Sequence, residues 1–306
     1  MAIQRKWGLC ALGLVVGLIG ASARAMDKIP DEYKTSGFAA GCQAYSYSQG
    51  FSVVEAIRLT HEAGGKVIEF YPGQPLSPEK KNGFDHKATP EVIALVKAEL
   101  EKNHVLAVNY GVVTPGGNAE SRKKEWRQIF EFAKKLDLYG VTSEPNAADM
   151  DEIEKLVKEF DIHFCIHDHP KQANNPNYKF WDPNYVLSLV KDRDPRMGSC
   201  ADTGHWLTSG VDPIEALHIL KGRVMSSHLK DRNQKGPQHK DVAWGKGVGE
   251  VKQVLDELKA QGFQGNISIE YESDMKRDPK TNAPVSYPAI KESFEFLKQY
   301  GQTAQK

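Results

Sequence analysis

The sequence predicts an α/β fold, a single-domain (β/α)₈ barrel of the TIM-barrel type, behind a short N-terminal segment. Strand-like and helix-like stretches alternate along the chain, which argues for a parallel sheet with helical crossovers. Eight such pairs in about 280 residues match the number that closes a barrel. The loops after several strands are longer than the loops before them, as at the active face of a barrel. An open doubly wound sheet is the alternative, but no G-x-G-x-x-G follows an early strand.

The first 25 residues have the pattern of a secretory signal peptide. The basic pair Arg5 and Lys6 precedes an apolar run, and residues 23–25 give an A-x-A cleavage site. We therefore assign 1–25 to a signal peptide and 26–306 to the barrel, and we expect an exported protein, periplasmic or secreted. The apolar run is shorter than the roughly 20 residues of a membrane span, which disfavours an uncleaved anchor.

Charge and cysteine content restrict the class of partner. Cleavage would remove three of the 40 basic residues and none of the 40 acidic ones, which leaves 37 against 40 and a formal charge of −3. This balance favours neither nucleic acid nor an anionic membrane as a partner. A homo-oligomer is left open. Cys42, Cys165 and Cys200 are odd in number and lie in apolar runs, so we interpret them as buried side chains and not as a disulfide framework.

The first four β/α units are predicted from short apolar runs that alternate with amphipathic stretches. The helix over 52–64 is bounded by a glycine pair, and the helix over 120–137 is charged on one face. The predicted strands cover 41–47, 66–71, 105–113 and 139–144, and the helices cover 52–64, 89–103, 120–137 and 149–161.

The last four units follow the same pattern. Two of their helices begin with Asp-Pro, at Asp182 and Asp212, where the aspartate caps the helix and proline takes its first position. The predicted strands cover 163–169, 197–202, 224–231 and 266–272, and the helices cover 182–192, 212–220, 249–262 and 286–301.

Four polar side chains end strands four, six, seven and eight. They are Glu144, Asp202, His228 and Glu270. Because the carboxyl ends of barrel strands share one mouth, these groups are expected to converge there. Three carboxylates and one imidazole predict a site for one divalent ion, with Mn²⁺ favoured, Mg²⁺ and Co²⁺ as alternatives, and Zn²⁺ less favoured. A cation would also offset the repulsion between buried carboxylates.

Three basic side chains near these strand ends are predicted to contact substrate. His205 follows a tight turn after strand six and would hydrogen-bond a substrate oxygen. Lys230 follows strand seven and would bind a hydroxyl or carbonyl group. In strand five, His167 and His169 alternate to the same side, and His169 is preferred because it is nearer the strand end.

Two further residues have two interpretations each. Glu69 ends strand two and is either a substrate contact or a strand-end salt bridge. Trp244 lies in a glycine-rich loop and forms either an apolar wall against a sugar face or part of the packing. The sequence does not decide between them.

These residues resemble the xylose-isomerase-like (β/α)₈ superfamily of sugar isomerases and epimerases, which includes D-tagatose 3-epimerase, inosose isomerase and inosose dehydratase. The resemblance spans roughly 37–300 and is carried by GCQAYSYS, EFYPG, ADTGHW, HLKD, GKGVGEV and GNISIEYE. It implies that Glu144, Asp202, His228 and Glu270 are metal ligands. It also implies that the two glutamates are the acid/base pair and that His205 binds substrate.

The chain departs from the epimerase pattern at two places. Gln234 stands where the epimerases carry an arginine, six residues after His228, and strand five has CIHDHP in place of a Glu-Asn-His pattern. The more distant endonuclease IV group binds DNA through basic surfaces, which the mature charge disfavours.

Three functions are carried forward. The leading hypothesis is a metal-dependent isomerase or epimerase of a ketose or ketosugar that works through an enediolate and two glutamates. The alternative is an exported lyase or dehydratase that eliminates from a 3-keto-glycoside or an inosose. The third is a non-catalytic sugar-binding barrel.

Overall fold

Eight parallel strands close into one barrel, which confirms the predicted fold. The structure is a computed structural model that describes residues 29–80 and 83–303. The predicted signal peptide lies outside the described residues. None of the described helices is long and apolar enough to cross a membrane.

The barrel strands follow one another around the circle in chain order. They are β1 (Ala39–Gln43), β2 (Val67–Phe70), β3 (Leu106–Tyr110), β4 (Gly140–Ser143), β5 (His163–His167), β6 (Met197–Asp202), β7 (Val224–His228) and β8 (Asn266–Ile269). β8 pairs with β1 and closes the barrel. Gly41 allows β1 to approach β2 closely, because an added Cβ there would lie 1.6 Å from the carbonyl oxygen of Val67.

Nine α-helices are present among the described residues. They are α1 (Val53–Ala63), α2 (Pro90–Lys102), α3 (Ala119–Lys135), α4 (Met150–Phe160), α5 (Pro183–Val190), α6 (Thr203–Ser209), α7 (Pro213–Ile219), α8 (Val251–Ala260) and α9 (Tyr287–Thr303). Asp182 and Asp212 cap α5 and α7, each with proline at the first helical turn, as predicted. Ser52 and Glu55 form a reciprocal capping box at α1.

The first strand and helix α6 differ most from the prediction, and β3, β5, β7 and β8 end two to three residues earlier than predicted. The first strand was expected to continue to residue 47, but β1 ends at Gln43 and residues 44–47 form a short 3₁₀ turn. The Gln43 side chain accepts a hydrogen bond from the backbone N–H of Tyr45, which stabilises the turn. Helix α6 was not predicted; the Asp202 carboxylate caps it by accepting from the backbone N–H of His205.

Two antiparallel pairs of short strands lie in the loops at the carboxyl end. They join 74–75 to 83–84 and 231–232 to 241–242. Cys42, Cys165 and Cys200 are all free and buried, which confirms their predicted role. The short pairs and α6 lie at the face of the barrel where the candidate site is found.

Candidate active site

The strands place the four predicted ligands at one end of the barrel. Asp202 and His228 are the last residues of β6 and β7, and Glu144 and Glu270 directly follow β4 and β8. In the circle of eight strands, β4 and β8 are four positions apart in both directions, so they stand opposite each other. The two glutamates therefore enter the site from opposite sides.

Asp202, His228, Lys230 and Glu270 form what we call the buried cluster. The Lys230 Nζ lies 2.9 Å from Asp202 Oδ2 and 2.8 Å from Glu270 Oε2. The His228 Nδ1 lies 3.1 Å from the same Glu270 oxygen. All four residues are buried, so one ammonium group balances two carboxylates away from water.

The charges in the buried cluster stabilise one another. Burial alone would raise the pKa of both carboxyl groups, but the charges around them outweigh it. His205 and Lys230 lower the pKa of Asp202 well below its usual value, and Lys230 does the same for Glu270. Burial would lower the pKa of Lys230, but Asp202 and Glu270 raise it well above its usual value. Both carboxylates are ionised at neutral pH as a result.

Four donor atoms are close enough together to hold a metal ion, and one of them belongs to a residue that was not predicted as a ligand. Atoms of His167, Asp202, His228 and Glu270 lie within 4.8 Å of one another. Burial lowers the pKa of His167 to about 4, which keeps its imidazole neutral as a metal ligand requires. Its Nδ1 has no hydrogen-bond partner among the described residues.

Burial would lower the pKa of His228, but Cys200, Glu270 and Glu69 raise it well above its usual value, so His228 must lose a proton before it can bind a metal. With both imidazoles neutral, the two imidazoles and two carboxylates fit a divalent first-row metal.

Glu144, His169 and Tyr178 form what we call the cavity wall. The Glu144 Oε1 accepts hydrogen bonds from the His169 backbone N–H (3.2 Å) and from the Tyr178 hydroxyl, and lies 2.6 Å from His169 Nδ1. Burial would raise the pKa of Glu144, but hydrogen bonds from His169 and Tyr178 lower it below its usual value. Burial would lower the pKa of His169, but Glu144 raises it.

Glu144 is not in the donor set of the other three predicted ligands. Its described carboxylate belongs to a second set, with His167 and His169. His167 is common to both sets and connects them. Every described hydrogen bond to the Glu144 carboxylate uses Oε1, so within the described chain Oε2 has no hydrogen-bond partner.

The remaining predicted contacts lie below the cavity. His205 is buried, with Nε2 at 3.5 Å from Asp202 Oδ2. Gly204 beside it does not serve as a turn; it lies in α6, where an added Cβ would lie 2.7 Å from the Lys230 side chain. Glu69 is fully buried and places Oε2 at 3.3 Å from His228 Nε2, which matches its salt-bridge interpretation.

Trp244 matches its packing interpretation. It is buried, its Nε1 donates to the backbone oxygen of Leu229 at 2.9 Å, and its ring packs at a tilt against Phe294. It is not among the residues that line the cavity above the buried cluster, so its interpretation as an apolar wall is not supported.

A cavity of about 380 Å³ opens between the buried cluster and the loops. Its polar side is lined by Glu144, His169, Glu270 and Glu272. The sequence analysis missed Glu272, whose Oε2 lies 3.0 Å from Lys230 Nζ and accepts from Arg232. The two glutamates of IEYE, Glu270 and Glu272, are two residues apart. Side chains at this spacing point to the same side of an extended chain, so the spacing could have indicated that Glu272 lies near Glu270. No sequence pattern pointed to Tyr178, which lies in a long loop.

Residues 57–300 match the family model of the xylose isomerase-like TIM barrel. The chain belongs to this family. Sugar isomerases, epimerases and dehydratases share the fold, and the donor sets above are consistent with a family that often binds a metal.

Three solved structures illustrate the similarity. An uncharacterised protein from Parabacteroides distasonis is 31% identical, with a TM-score of 0.65, over 85% of this chain and 98% of that one. A D-tagatose 3-epimerase-like protein is 20% identical, with a TM-score of 0.65, over 87% and 98%. A probable 3-DHS dehydratase from Bacillus anthracis is 12% identical, with a TM-score of 0.60, over 84% and 97%. The last two show the shared fold alone.

Proposed function

We propose that this chain is an exported, divalent-metal-dependent isomerase or epimerase that acts on a ketose or ketosugar. The observation that carries the proposal is that Glu144 and Glu270 line the same cavity and come from opposite strands of the barrel. A sugar bound between them would face the carboxylate of Glu144 on one side and that of Glu270 on the other. Inverting a carbon centre with two proton-transfer groups requires groups on opposite sides of it, and moving a proton to the neighbouring carbon requires one of them.

Asp202, His228 and Glu270 would hold the metal, and His167 would be a further donor. Glu144 would contribute its Oε2 atom as an oxygen ligand, as predicted from the sequence. Mn²⁺ is our choice for the native ion, since the set combines oxygen and imidazole donors without a thiolate. When bound, such an ion supplies Lewis-acid polarisation of the sugar carbonyl.

The glutamates carry the proton. Both have pKa values below the usual range, so both are ionised at neutral pH and one can accept the proton from the carbon next to the carbonyl. The C–H electron pair then forms the double bond of an enediolate, and the carbonyl oxygen gains the negative charge. The glutamate that took the proton returns it to the neighbouring carbon to give the isomer. For the epimer, the second glutamate first binds a proton from solvent and then donates it to the other face of the same carbon. His169 and Tyr178 hold Glu144 in place during this exchange.

A substrate screen tests the proposal. Purified protein is incubated in D₂O with Mn²⁺ and a panel of free and 3-keto sugars, and the sugars are analysed by mass spectrometry and NMR. We expect deuterium at the carbon next to the carbonyl in at least one sugar, with loss of exchange in Glu144→Gln and Glu270→Gln. Normal exchange in Glu270→Gln with metal bound would contradict the two-glutamate scheme.

Elimination is the second candidate, because the cavity wall also contains a hydroxyl and an imidazole. The same first step would be followed by cleavage of a β C–O bond, and the departing oxygen would take a proton from His169 or Tyr178. Product mass separates the two reactions: it is unchanged after isomerisation and falls by water or an alcohol after elimination.

Export remains part of the proposal and rests on the pattern of residues 1–25. Expression of the full chain followed by cell fractionation and N-terminal sequencing tests it. We expect a mature protein that begins at Met26 in the exported fraction. An intact N-terminus in the cytoplasmic fraction would contradict it.

A further inference from the structure

The cavity has a second end that the proposed chemistry does not use. Besides the carboxylates it is lined by Tyr45, Tyr71, Pro72 and Val112, which follow β1, β2 and β3, and we call this part of the lining the aromatic end. The two tyrosine rings have centroids 5.4 Å apart and are nearly perpendicular, at 79°. The lining thus combines carboxylates with two tyrosine rings.

Tyr45 is unusual for its exposure. At 41% it is among only three large hydrophobic side chains that are exposed in the described chain, and the other two, Val248 and Val285, do not line the cavity. Within the described residues, no hydrogen bond involves the hydroxyl group of Tyr45 or of Tyr71. An exposed aromatic ring beside a polar cavity is typical of a surface that binds a ligand.

The backbone under Tyr45 is held firmly. Gln43 accepts a hydrogen bond from the Tyr45 N–H at 3.2 Å and donates one from Nε2 to the Gly111 oxygen at 2.9 Å. This links the turn after β1 to the loop after β3. The ring is therefore presented from an ordered turn and needs little ordering when a ligand binds.

The size of the cavity exceeds what one ring requires. An apolar cavity of about 150 Å³ holds a single benzene ring, and this cavity measures about 380 Å³. A six-membered sugar between the two glutamates would leave room for a second ring at the aromatic end.

The charge of the cavity indicates the kind of group that fits. Its lining contains the three carboxylates of Glu144, Glu270 and Glu272, and no described lysine or arginine lines it. A phosphate group would meet repulsion from these carboxylates. A neutral ring is the group that the aromatic end accommodates.

We propose that Tyr45 and Tyr71 form a subsite for a second, neutral ring joined to the reacting sugar, so that the substrate is a glycoside and not a free or phosphorylated monosaccharide. The orientation, with the reacting sugar between Glu144 and Glu270, rests on the proposed function. The ring preference itself rests on the aromatic end alone.

Binding of unreactive probes tests the subsite without turnover. Methyl glucoside, phenyl glucoside and a glucose disaccharide are titrated into the full mature protein by calorimetry and ligand-observed NMR. We expect both two-ring probes to bind at least about tenfold more tightly than methyl glucoside, in line with the selectivity of apolar pockets. Comparison of the disaccharide with phenyl glucoside shows which kind of second ring, a sugar or an aromatic aglycone, binds more tightly.

Matched variants assign the effect to the rings. Tyr45→Ala and Tyr71→Ala should each remove most of the preference for two rings, whereas Tyr45→Phe should keep it. Val285→Ala, which shortens another exposed apolar side chain, should leave all three affinities unchanged. Equal affinity for one and two rings, or an unchanged preference in Tyr45→Ala when its circular dichroism is normal, would overturn the subsite.

The outcome is separable from that of the proposed function. If no sugar exchanges deuterium but the Tyr45-dependent preference is found, the proposed reaction fails and the subsite stands. If ketosugars are converted with the same kcat/KM whatever their aglycone, the subsite is overturned and the proposed reaction stands.

Discussion

The buried cluster and the cavity wall face the same substrate space but are built in opposite ways. In the buried cluster, Asp202 and Glu270 are held by the Lys230 ammonium group with almost no access to water. In the cavity wall, Glu144 is held by neutral or titrating partners, and the His169 side chain is 42% exposed. The first region holds its carboxylates by ion pairing with a lysine, and the second holds Glu144 by hydrogen bonds from a histidine and a tyrosine.

The contrast indicates where stability and where activity should respond to mutation. A buried charge that loses its partner is costly, since no water replaces the lost interaction. A half-exposed hydrogen bond is worth much less for folding, but it orients a group that handles the proton. The buried cluster should therefore control stability and also supply the reacting Glu270, whereas the cavity wall should affect rate with little effect on stability.

The largest expected effect on stability is at Lys230. Lys230→Met leaves two buried carboxylates without their cation, and we expect a loss of about 3–5 kcal/mol in the free energy of unfolding. Urea unfolding of chelator-treated protein measures it.

Lys97→Met is the matched control, because Lys97 pairs with Asp137 at 2.7 Å while both side chains are largely exposed. We expect a loss of about 0–1 kcal/mol there. Equal losses in the two variants would remove the distinction between the regions.

The next effect is on rate, at Tyr178. Tyr178→Phe removes one hydrogen bond to Glu144 Oε1 and should lower kcat about tenfold, since a bond to a charged group contributes on the order of 1.5–3 kcal/mol. KM and the melting temperature should change little. Tyr185→Phe, in the neighbouring helix α5, is the control. A large drop in melting temperature with unchanged kcat would place Tyr178 among the structural residues.

The smallest effect is a pKa change in the cavity wall. Glu144 raises the pKa of His169, so Glu144→Gln should lower that pKa, as followed by NMR of the imidazole in chelator-treated protein. Glu62→Gln, a distant surface change, serves as the control.

The same pair gives a pH dependence of stability. The raised pKa of His169 contributes stability that is full below its unfolded value and is lost as pH rises through the folded pKa. The lowered pKa of Glu144 contributes stability above its unfolded value that is lost as pH falls. The pair should therefore stabilise most between about pH 4.3 and 6.5. The free energy of unfolding is measured against pH for the wild type and Glu144→Gln. A difference between the two proteins that does not change with pH would contradict this expectation.

The barrel and the positions of the strand-end groups could be predicted from the sequence, because hydrophobic periodicity identifies strands and the barrel topology aligns their ends. Asp202 and His228 are examples: each is the last residue of a strand that was predicted from its apolar run. The ends of β4 and β8 were located to within a few residues by the same signal.

The partners of these groups could not be predicted in the same way. Tyr178 reaches Glu144 from a loop whose path no periodicity encodes. Lys230 has a long, flexible side chain, and spacing does not reveal that its ammonium group lies between carboxylates. His167 and His169 share a side of the strand pattern, but only the fold shows that the first joins the metal donors and the second the cavity wall.

Solvent isotope exchange tests the central claim, that Glu144 and Glu270 exchange one substrate proton from opposite sides of the cavity. Wild-type protein, Glu144→Gln and Glu270→Gln are compared in D₂O on the first sugar found to be converted, with metal content checked in each. We predict deuterium at the reacting carbon in the wild type and loss of conversion by about 10²–10⁴-fold in each variant. Conversion without deuterium uptake, or near-normal conversion in either metal-loaded variant, would contradict the account.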